Sequence, residues 1–497
     1  MKKIFGLLIT LILITTLIQA QNEIDALRYS YHIPSGTARS NAMGGAFGAL
    51  GADASVLSIN PAGMGVYQNS DFTFSPGFVL TNTKAKYLGT TRTDYDFNIN
   101  MSNIAYIGTA YTNTTGGHVS VNLGFAYNRL MDYNQNIAIE GINTENSLTD
   151  WFAHRAAGIN SKYIFDQDHF YSGLAWETYL IDPHPDYNNQ YISTFDNYGQ
   201  TQRELINKNG YIGEYAFSIA TNYLHQLYIG ATLGFQSVRF AQTNIYEEFD
   251  KNDNINGFDS FTFKENFETK GSGFCFKLGI LFRPVKWVRV GGAIHTPTFY
   301  KLNDTYYNSL NSEFSIPILE IDHDTGDSVY YSRFKYDSSI GKQSYELNSP
   351  FKAIGNIAFI INKQALVSID YEYVNYAQAR LRSDNYSYFN ENENINNYFK
   401  AGHNIRVGAE YRFGPISLRA GGAYYDSPYK LTKRDSHTLI YSGGIGIRGT
   451  NMYFDVSYSY IANKEYYYMY QGYGVISPET IIKQNQNRIV TTLGFIF

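Results

Sequence analysis

The chain has 497 residues, and its 39 Lys and Arg against 44 Asp and Glu give a formal net charge of −5. This charge excludes a strongly basic nucleic-acid binder, and the single cysteine excludes a disulfide framework and a cysteine-based zinc site. A mean hydropathy of −0.31 excludes a bundle of transmembrane helices, each of which needs about 20 consecutive apolar residues. Aromatic residues make up 16% of the chain and charged residues only 17%. Since soluble proteins have about 25% charged residues, this composition favours strands whose outer face meets a medium less polar than water.

Residues 1–20 have the pattern of a secretory signal peptide. Lys2 and Lys3 precede an apolar run from Ile4 to Ile18, and the small Ala20 stands at its end. The run is short for a membrane-spanning helix. We therefore predict cleavage after Ala20, export from the cytoplasm and a place in the envelope of a Gram-negative bacterium.

A segment rich in small residues precedes the first predicted strand. Residues 36–65 are too irregular for a strand, and Ala42 to Leu50 is predicted as a short helix that its glycines weaken. The residues Asn60-Pro61-Ala62-Gly63 have the composition of a turn. A segment of this kind between a signal and a strand predicts a compact plug, or hatch, over residues 21–70.

From residue 71 onward the sequence alternates with period two. In the segment 405–413 the odd positions are apolar, whereas the even positions are Arg406, Gly408, Glu410 and Arg412. Successive side chains of a strand point to opposite faces, so this segment is a strand with one apolar and one polar face. The pattern predicts fourteen strands, at residues 71–80, 98–111, 118–129, 211–224, 226–242, 262–282, 286–300, 350–361, 364–381, 403–413, 416–426, 438–448, 452–463 and 487–497.

The connections between these strands are alternately short and long. A soluble sandwich shows the same side-chain alternation, but it has no reason to keep tight turns at one end and long loops at the other. An even strand number with this arrangement predicts an all-β fold, a transmembrane antiparallel β-barrel over residues 71–497. We expect the longest connections, residues 130–210, 243–261 and 301–349, on the extracellular side.

The last predicted strand ends on an aromatic residue. Ile489, Thr491, Leu493, Phe495 and Phe497 share one face. A terminal aromatic residue on an alternating strand resembles the signal that barrel-assembly machinery reads in outer-membrane proteins. The sequence therefore predicts this machinery as a partner that binds through Phe497.

The polar faces of the predicted strands would line the barrel lumen, and they carry both charge signs. The charges either form ion pairs that stiffen the lumen, or some arginines, such as Arg289 and Arg406, hold the carboxylate of an amphipathic ligand. The pattern leaves both interpretations open. The predicted lumen charges are Lys277, Arg289, Asp370, Glu372, Arg406, Glu410, Arg412, Arg419, Arg448 and Asp455.

The long connection 130–210 carries two predicted helices, at 147–159 and 170–180. Trp151 lies in the first and Trp176 in the second, beside other apolar residues. Exposed apolar patches are typical of ligand-landing sites, so both tryptophans are candidates for capture of a hydrophobic ligand. The alternative is that the two helices only pack on each other over the barrel mouth.

The hatch segment and the C-terminal strands resemble the FadL/TodX family of outer-membrane transporters of hydrophobic compounds. The resemblance rests on the Ala/Gly-rich residues 46–54 with Asp53, on the turn Asn60 to Gly63, and on residues 350–497. It implies a fourteen-stranded barrel in which ligand passes from the outer loops to an apolar pocket beside the hatch. The hatch contacts that it implies are Phe47, Leu50, Val56 and Leu57, although these side chains can equally be plain packing of the hatch against the wall.

The chain has no sequence motif of an enzyme. There is no Gly-x-Ser-x-Gly elbow and no phosphate-binding Gly-rich loop ahead of a helix, and we expect no cofactor, no catalytic residues and no metal site. The leading hypothesis is passive uptake of small hydrophobic or amphipathic molecules, such as long-chain fatty acids, across the outer membrane. The alternatives are a haem or porphyrin receptor and a secretion-associated barrel that shuttles exported proteins to the cell surface. Lipopolysaccharide is the expected lipid partner.

Overall fold

The computed structural model describes residues 23–111, 117–195, 197–252, 254–321, 328–362, 364–431 and 435–497. The predicted signal peptide, residues 1–20, lies outside these ranges. Within them, every helix is too short or too polar to cross a membrane.

Most of the described residues form strands of one large antiparallel sheet. Nineteen of the strands belong to it, while β5 pairs only with β6 and β21 only with β22. The strands are β1 (Asp71–Tyr87), β2 (Thr90–Tyr111), β3 (His118–Asp132), β4 (Gln135–Ile142), β5 (Ile181–Pro183), β6 (Tyr191–Ser193), β7 (Thr201–Tyr223), β8 (Leu227–Phe249), β9 (Ser260–Val285), β10 (Val288–His295), β11 (Phe299–Ile321), β12 (Ser328–Asp337), β13 (Gly341–Asn348), β14 (Lys352–Ile361), β15 (Ala365–Asn375), β16 (Arg380–Arg382), β17 (Ala401–Phe413), β18 (Ile416–Tyr425), β19 (Thr438–Arg448), β20 (Met452–Tyr467), β21 (Gln471–Gly472), β22 (Val475–Ile476) and β23 (Thr480–Ile496).

The large sheet closes on itself. The first strand, β1, pairs with β2 on one side and with the last strand, β23, on the other, where Asp71 to Lys86 meet Ile481 to Ile496. Fourteen strand positions complete the circuit among the described residues, because β3–β4, β10–β11, β12–β14 and β15–β16 each occupy one position. The pairing of β1 with β23 removes the open edges that the first and last strands of the sheet would otherwise have. The predicted fourteen-stranded antiparallel barrel is confirmed.

The barrel wall is apolar outside and polar inside, the reverse of a soluble protein. Along β17, Ile405, Val407 and Tyr411 are exposed, whereas Arg406 and Glu410 are buried. Exposed apolar side chains on every second residue, with charged side chains facing inward, are the pattern of a barrel surrounded by lipid.

Several strands extend well beyond the predicted bounds. Residues 243–261 and 301–349 were predicted as long connections, but about half of the first is strand, since β8 runs to Phe249 and β9 begins at Ser260, and β11 to β13 cover most of 301–349. The reason is that the lipid-facing alternation of apolar residues stops where a strand leaves the membrane. Beyond that height the ladder continues but the alternation changes: Phe261, Phe263 and Leu310 are buried in the apolar cluster of the outer loops, and polar residues such as Thr262 and Lys264 stand between them.

Short helices occupy the hatch and the outer loops. The predicted helix over Ala42 to Leu50 is wrong, because Gly44 and Gly45 adopt φ values of +63° and +77°, in which a helix cannot continue. The two helices predicted in the loop 130–210 are present but shorter. The helices are α1 (Glu23–Ser30), α2 (Ala38–Ala42), α3 (Val56–Ile59), α4 (Leu148–Ala156), α5 (Ile164–Gln167), α6 (Ser172–Glu177) and α7 (Phe389–Tyr398), with 3-10 turns at Pro61–Val66, Ser161–Tyr163 and Tyr376–Gln378.

Candidate functional site

The hatch lies inside the barrel. The side chains of Phe47, Leu50, Val56 and Leu57 are at most 3% exposed. They form one apolar cluster with alanines of the wall, contributed by β2, β3, β7 and β14. In this structure the four predicted hatch contacts therefore pack the hatch against the wall.

The turn Asn60 to Gly63 is bound both to the rest of the hatch and to the wall. The Asn60 side-chain amide donates to the carbonyl oxygen of Gly48 at 2.9 Å and to that of Ile280 in β9 at 3.4 Å. Its Oδ1 accepts from the backbone N–H of Ala62 at 3.2 Å and so caps the 3-10 turn that Pro61 begins. Asn60 thus has one role in the turn and another in docking.

Wall glycines let the hatch backbone touch the wall directly. A Cβ on Gly421 in β18 would lie 2.2 Å from the carbonyl carbon of Met43, and one on Gly230 in β8 would lie 2.4 Å from that of Pro61. Any side chain at these positions would displace the hatch. The hatch is therefore held by close backbone contact as well as by side chains.

Buried ion pairs connect the hatch to the strands. Arg39 of α2 donates from Nε to Glu410 at 2.8 Å, and Glu410 also accepts from Arg419 at 2.6 Å, which in turn binds Asp455. These contacts support the ion-pair interpretation for Glu410, Arg419 and Asp455. Arg39 was missed by the sequence analysis, because nothing in its neighbours distinguishes it from a surface arginine.

A second buried pair fastens α3. Lys277 of β9 lies 2.5 Å from Glu214 of β7, and the Ser58 hydroxyl donates to the same carboxylate at 2.6 Å. Nearby, the backbone N–H of Gly48 donates to Asp370 at 2.9 Å. All these contacts between the hatch and the wall are non-covalent, so a movement of the hatch can break them.

A polar cavity of about 50 Å³ lies between the hatch and the wall. Its cationic lining includes Lys277, Lys352 and Arg406, with Glu372 as the acidic member. A second cavity of about 40 Å³ lies beside it, lined by Arg488, and Arg406 borders both cavities. Lys352 and Arg488 make no ion pair among the described residues, so the lining carries excess positive charge.

His32 of the hatch lies between the first cavity and the wall. Burial lowers the pKa of His32 well below its usual range, and the neighbouring Lys352 ammonium lowers it further. The neutral ring accepts from Lys352 at Nδ1, over 3.5 Å, and donates from Nε2 to the carbonyl oxygen of Tyr29 at 3.2 Å. The sequence analysis missed both residues, since they are 320 positions apart.

The two arginines predicted to bind a carboxylate are not brought together. Arg406 binds Glu372 at 3.1 Å through Nη1, while its buried Nη2 has no hydrogen-bond partner among the described residues. Arg289 instead donates to the carbonyl oxygen of Leu50 and so holds the hatch backbone. Only Arg406 remains a candidate for a ligand carboxylate.

Trp151 and Trp176 lie in the outer-loop cluster and are half-buried. The indole N–H of Trp151 donates to the carbonyl oxygen of Gln471 at 3.1 Å, and the Trp176 ring packs 5.8 Å from that of Tyr191. The helices also pack on each other, since the Ser172 hydroxyl of α6 donates to the carbonyl oxygen of Phe152 in α4 at 3.1 Å. Each tryptophan nevertheless keeps part of its ring at the surface.

The structure is similar to a Pseudomonas aeruginosa FadL homologue, with a TM-score of 0.57 and 11% identity over 94% of this chain and 99% of that chain. The chain has the FadL fold. Because the aligned share exceeds what residues 71–497 alone can supply, the likeness includes part of the hatch. The structure is also similar to that of the TodX monoaromatic hydrocarbon channel deltaS2 mutant, with a TM-score of 0.50 and 11% identity over 93% of this chain and 99% of that chain. No family model and no curated protein sequence matches the chain.

Proposed function

We propose that this FadL-fold protein takes up small hydrophobic or amphipathic molecules, such as long-chain fatty acids, passively across the outer membrane of a Gram-negative bacterium. The observation that carries the proposal is the cationic cavity directly beside a non-covalently held hatch. The apolar outer face of the barrel supports the membrane location. In this orientation the tight turns of the barrel, such as Gly414-Pro415 between β17 and β18, lie on the periplasmic side.

The proposed ligand carries a carboxylate at one end. Arg406 offers the unpartnered Nη2, and Lys352 and Arg488 add positive charge that no described acid pairs. The apolar part of the ligand would take over contacts that Phe47 and Leu57 now make with the wall. An apolar solute that moves from one apolar surface to another loses little free energy.

Passage requires the hatch to move. A cavity of about 50 Å³ is far smaller than a long acyl chain, so the described arrangement is a closed one. The docking of the hatch on wall glycines permits movement, because backbone contact involves no interlocked side chains there. A hatch that shifts as ligand enters would open the lumen and close it again afterwards.

The test is uptake of labelled oleate by a Gram-negative host that lacks its own fatty-acid transporter. The wild-type chain should confer uptake, and Arg406→Gln should lower it about 10- to 100-fold, because a charged hydrogen bond to the carboxylate is lost. Arg203→Gln is the matched control, since Arg203 pairs with Glu247 away from the cavity. No uptake from a heat-modifiable, membrane-inserted wild type would overturn the fatty-acid proposal, and haem uptake in the same host would then favour the receptor alternative.

A second candidate is the secretion-associated barrel, and the observation that favours it is the nearly filled lumen. A shuttle needs no continuous apolar pocket, and the outer end of β11 exposes Ile316, Leu319 and Ile321, a surface suited to a protein partner. An exported protein that co-purifies with the barrel in fixed proportion, without bound lipid, would support this candidate. Replacement of the exposed Ile316, Leu319 and Ile321 by serine should abolish that co-purification and leave oleate uptake unchanged.

A further inference from the structure

Three lysines form a horizontal row on the outer wall of the barrel. Lys483 of β23 is directly opposite Lys84 of β1 on one side and directly opposite Lys464 of β20 on the other. Directly opposite residues of antiparallel strands are about 5 Å apart at Cα, so the row spans about 10 Å. All three side chains point outward, because the residues next to them along each strand, such as Ala85 and Ile482, face the lumen.

The row lies above the apolar band of the wall, on the side of the long loops. Going up β1, the outward residues are Phe74, Phe78 and Leu80, then Asn82, then Lys84 and Lys86. Lys84 is four residues beyond Leu80, which is about 13 Å along the strand at 3.3 Å per residue. Lysine side chains can reach back toward the interface, so the ammonium groups lie at the height of the lipid headgroups.

No acidic side chain in the described part of the chain pairs with these lysines. Like charges directly opposite on neighbouring strands destabilise a sheet. Among the described residues, Lys84 and Lys483 make no ion pair, and Lys464 contacts only Tyr466 through its ring and hydroxyl group. Three other outward lysines do form ion pairs: Lys270, Lys301 and Lys335 each lie within 3.7 Å of a carboxylate, those of Glu268, Glu346 and Asp337 respectively.

We propose that Lys84, Lys464 and Lys483 bind the phosphate groups of a multiply phosphorylated glycolipid in the outer leaflet of the membrane. This inference rests on the membrane location and orientation given under the proposed function, but not on transport. A row of unpaired cations above an apolar band complements a lipid whose acyl chains lie against that band and whose phosphates lie at its edge. Because the three lysines lie at the edge of the lipid-facing band, we expect them to bind a lipid headgroup rather than a soluble anion.

The test measures binding of diphosphorylated lipid A to the full-length protein in a non-ionic detergent, by native mass spectrometry. The variant is K84Q/K464Q/K483Q. The control is K270Q/K301Q/K335Q, which removes the same charge from three outward lysines that are already paired. Electrostatic attraction of three lysines predicts binding roughly 100-fold weaker in the variant, steep salt dependence in the wild type, and little change in the control.

Equal binding by wild type and variant would overturn the proposal, as would an equal loss in the control. Competition by inorganic phosphate as strong as that by the lipid would show an anion site without lipid specificity and would also overturn it. Heat-modifiable migration of each variant verifies that its barrel is folded. Because the assay needs no uptake, a negative result leaves the transport proposal standing, and failed oleate uptake leaves this one standing.

Discussion

At the scale of single residues, the hatch is positioned by the absence of side chains as much as by their presence. Gly408 and Gly421 face Met43, and Gly279 faces Asn60, at distances that no Cβ can occupy. Asn60 then supplies the directional contacts, with hydrogen bonds to the hatch and to β9. The wall is thus shaped locally to receive the hatch backbone.

A substitution at Gly421 should unseat the hatch. Gly421→Ala places a Cβ about 2.2 Å from the Met43 carbonyl carbon, and because backbone rather than a flexible side chain lies there, the hatch must shift. Overpacking of this kind costs about 1–3 kcal/mol. We expect higher ion conductance through the variant in planar bilayers. Gly355→Ala is the control, since no atom lies within 4 Å of that Cβ, and equal conductance of Gly421→Ala and wild type would contradict the prediction.

At the scale of elements, the outer loops form a packed cap rather than free segments. Ser147 begins α4 with a capping box that includes Asp150, and its hydroxyl donates to Glu248 of β8 at 2.6 Å. Trp151 connects this helix to the loop that contains Gln471. The cap therefore joins connections that are more than 300 residues apart in sequence.

The two outer tryptophans test whether this cap also captures ligand. Trp151→Gln and Trp176→Gln each remove a half-buried aromatic surface, and we expect apparent affinity for oleate at the cell surface to fall about fivefold or more. Trp287→Gln is the control, because Trp287 lies in a tight turn at the other end of the barrel, stacked on Phe359. Unchanged affinity in both outer variants, with the control also unchanged, would assign the tryptophans to packing alone.

At the scale of the whole molecule, the ladder between the first and last strands decides whether a barrel exists. β1 and β23 pair over nearly their full lengths, and the backbone N–H of Phe497 extends this contact by donating to the carbonyl oxygen of Ser70 at 3.0 Å. The residue Phe497 is 72% exposed, so little of it is covered by the rest of the chain. Its side chain is therefore free for recognition by another protein.

Deletion of Phe497 should impair assembly more than stability. One backbone hydrogen bond is worth about 1 kcal/mol, so we expect barrels refolded in detergent to unfold at nearly the wild-type denaturant concentration. In cells, the heat-modifiable fraction in the outer membrane should fall severalfold, because the deletion removes the aromatic residue that we predict as the assembly signal. Phe497→Tyr keeps an aromatic terminus and should assemble normally. A deletion variant that assembles at the wild-type level would refute the role of Phe497.

Local pattern was sufficient for much of this architecture. The strand 405–413 was predictable because its lipid face and lumen face are written into alternate residues of one short segment. The turn at Asn60 was predictable for a similar reason, since Asn and Pro favour turns by their own chemistry. The prediction of a helix over Ala42 to Leu50 was wrong, because the turn at Gly44 is fixed by contact with Gly422 of the wall.

The sequence by itself determined the barrel, its lipid-facing side and the presence of a hatch, because these depend on side-chain periods and residue composition within single segments. Only the tertiary structure decided that Arg406 borders a cavity with Lys352 while Arg289 holds the Leu50 carbonyl. It also decided that three lysines from the two ends of the chain stand in one row. Such groupings depend on strand register and barrel closure, which join residues hundreds of positions apart and leave no pattern in any one segment.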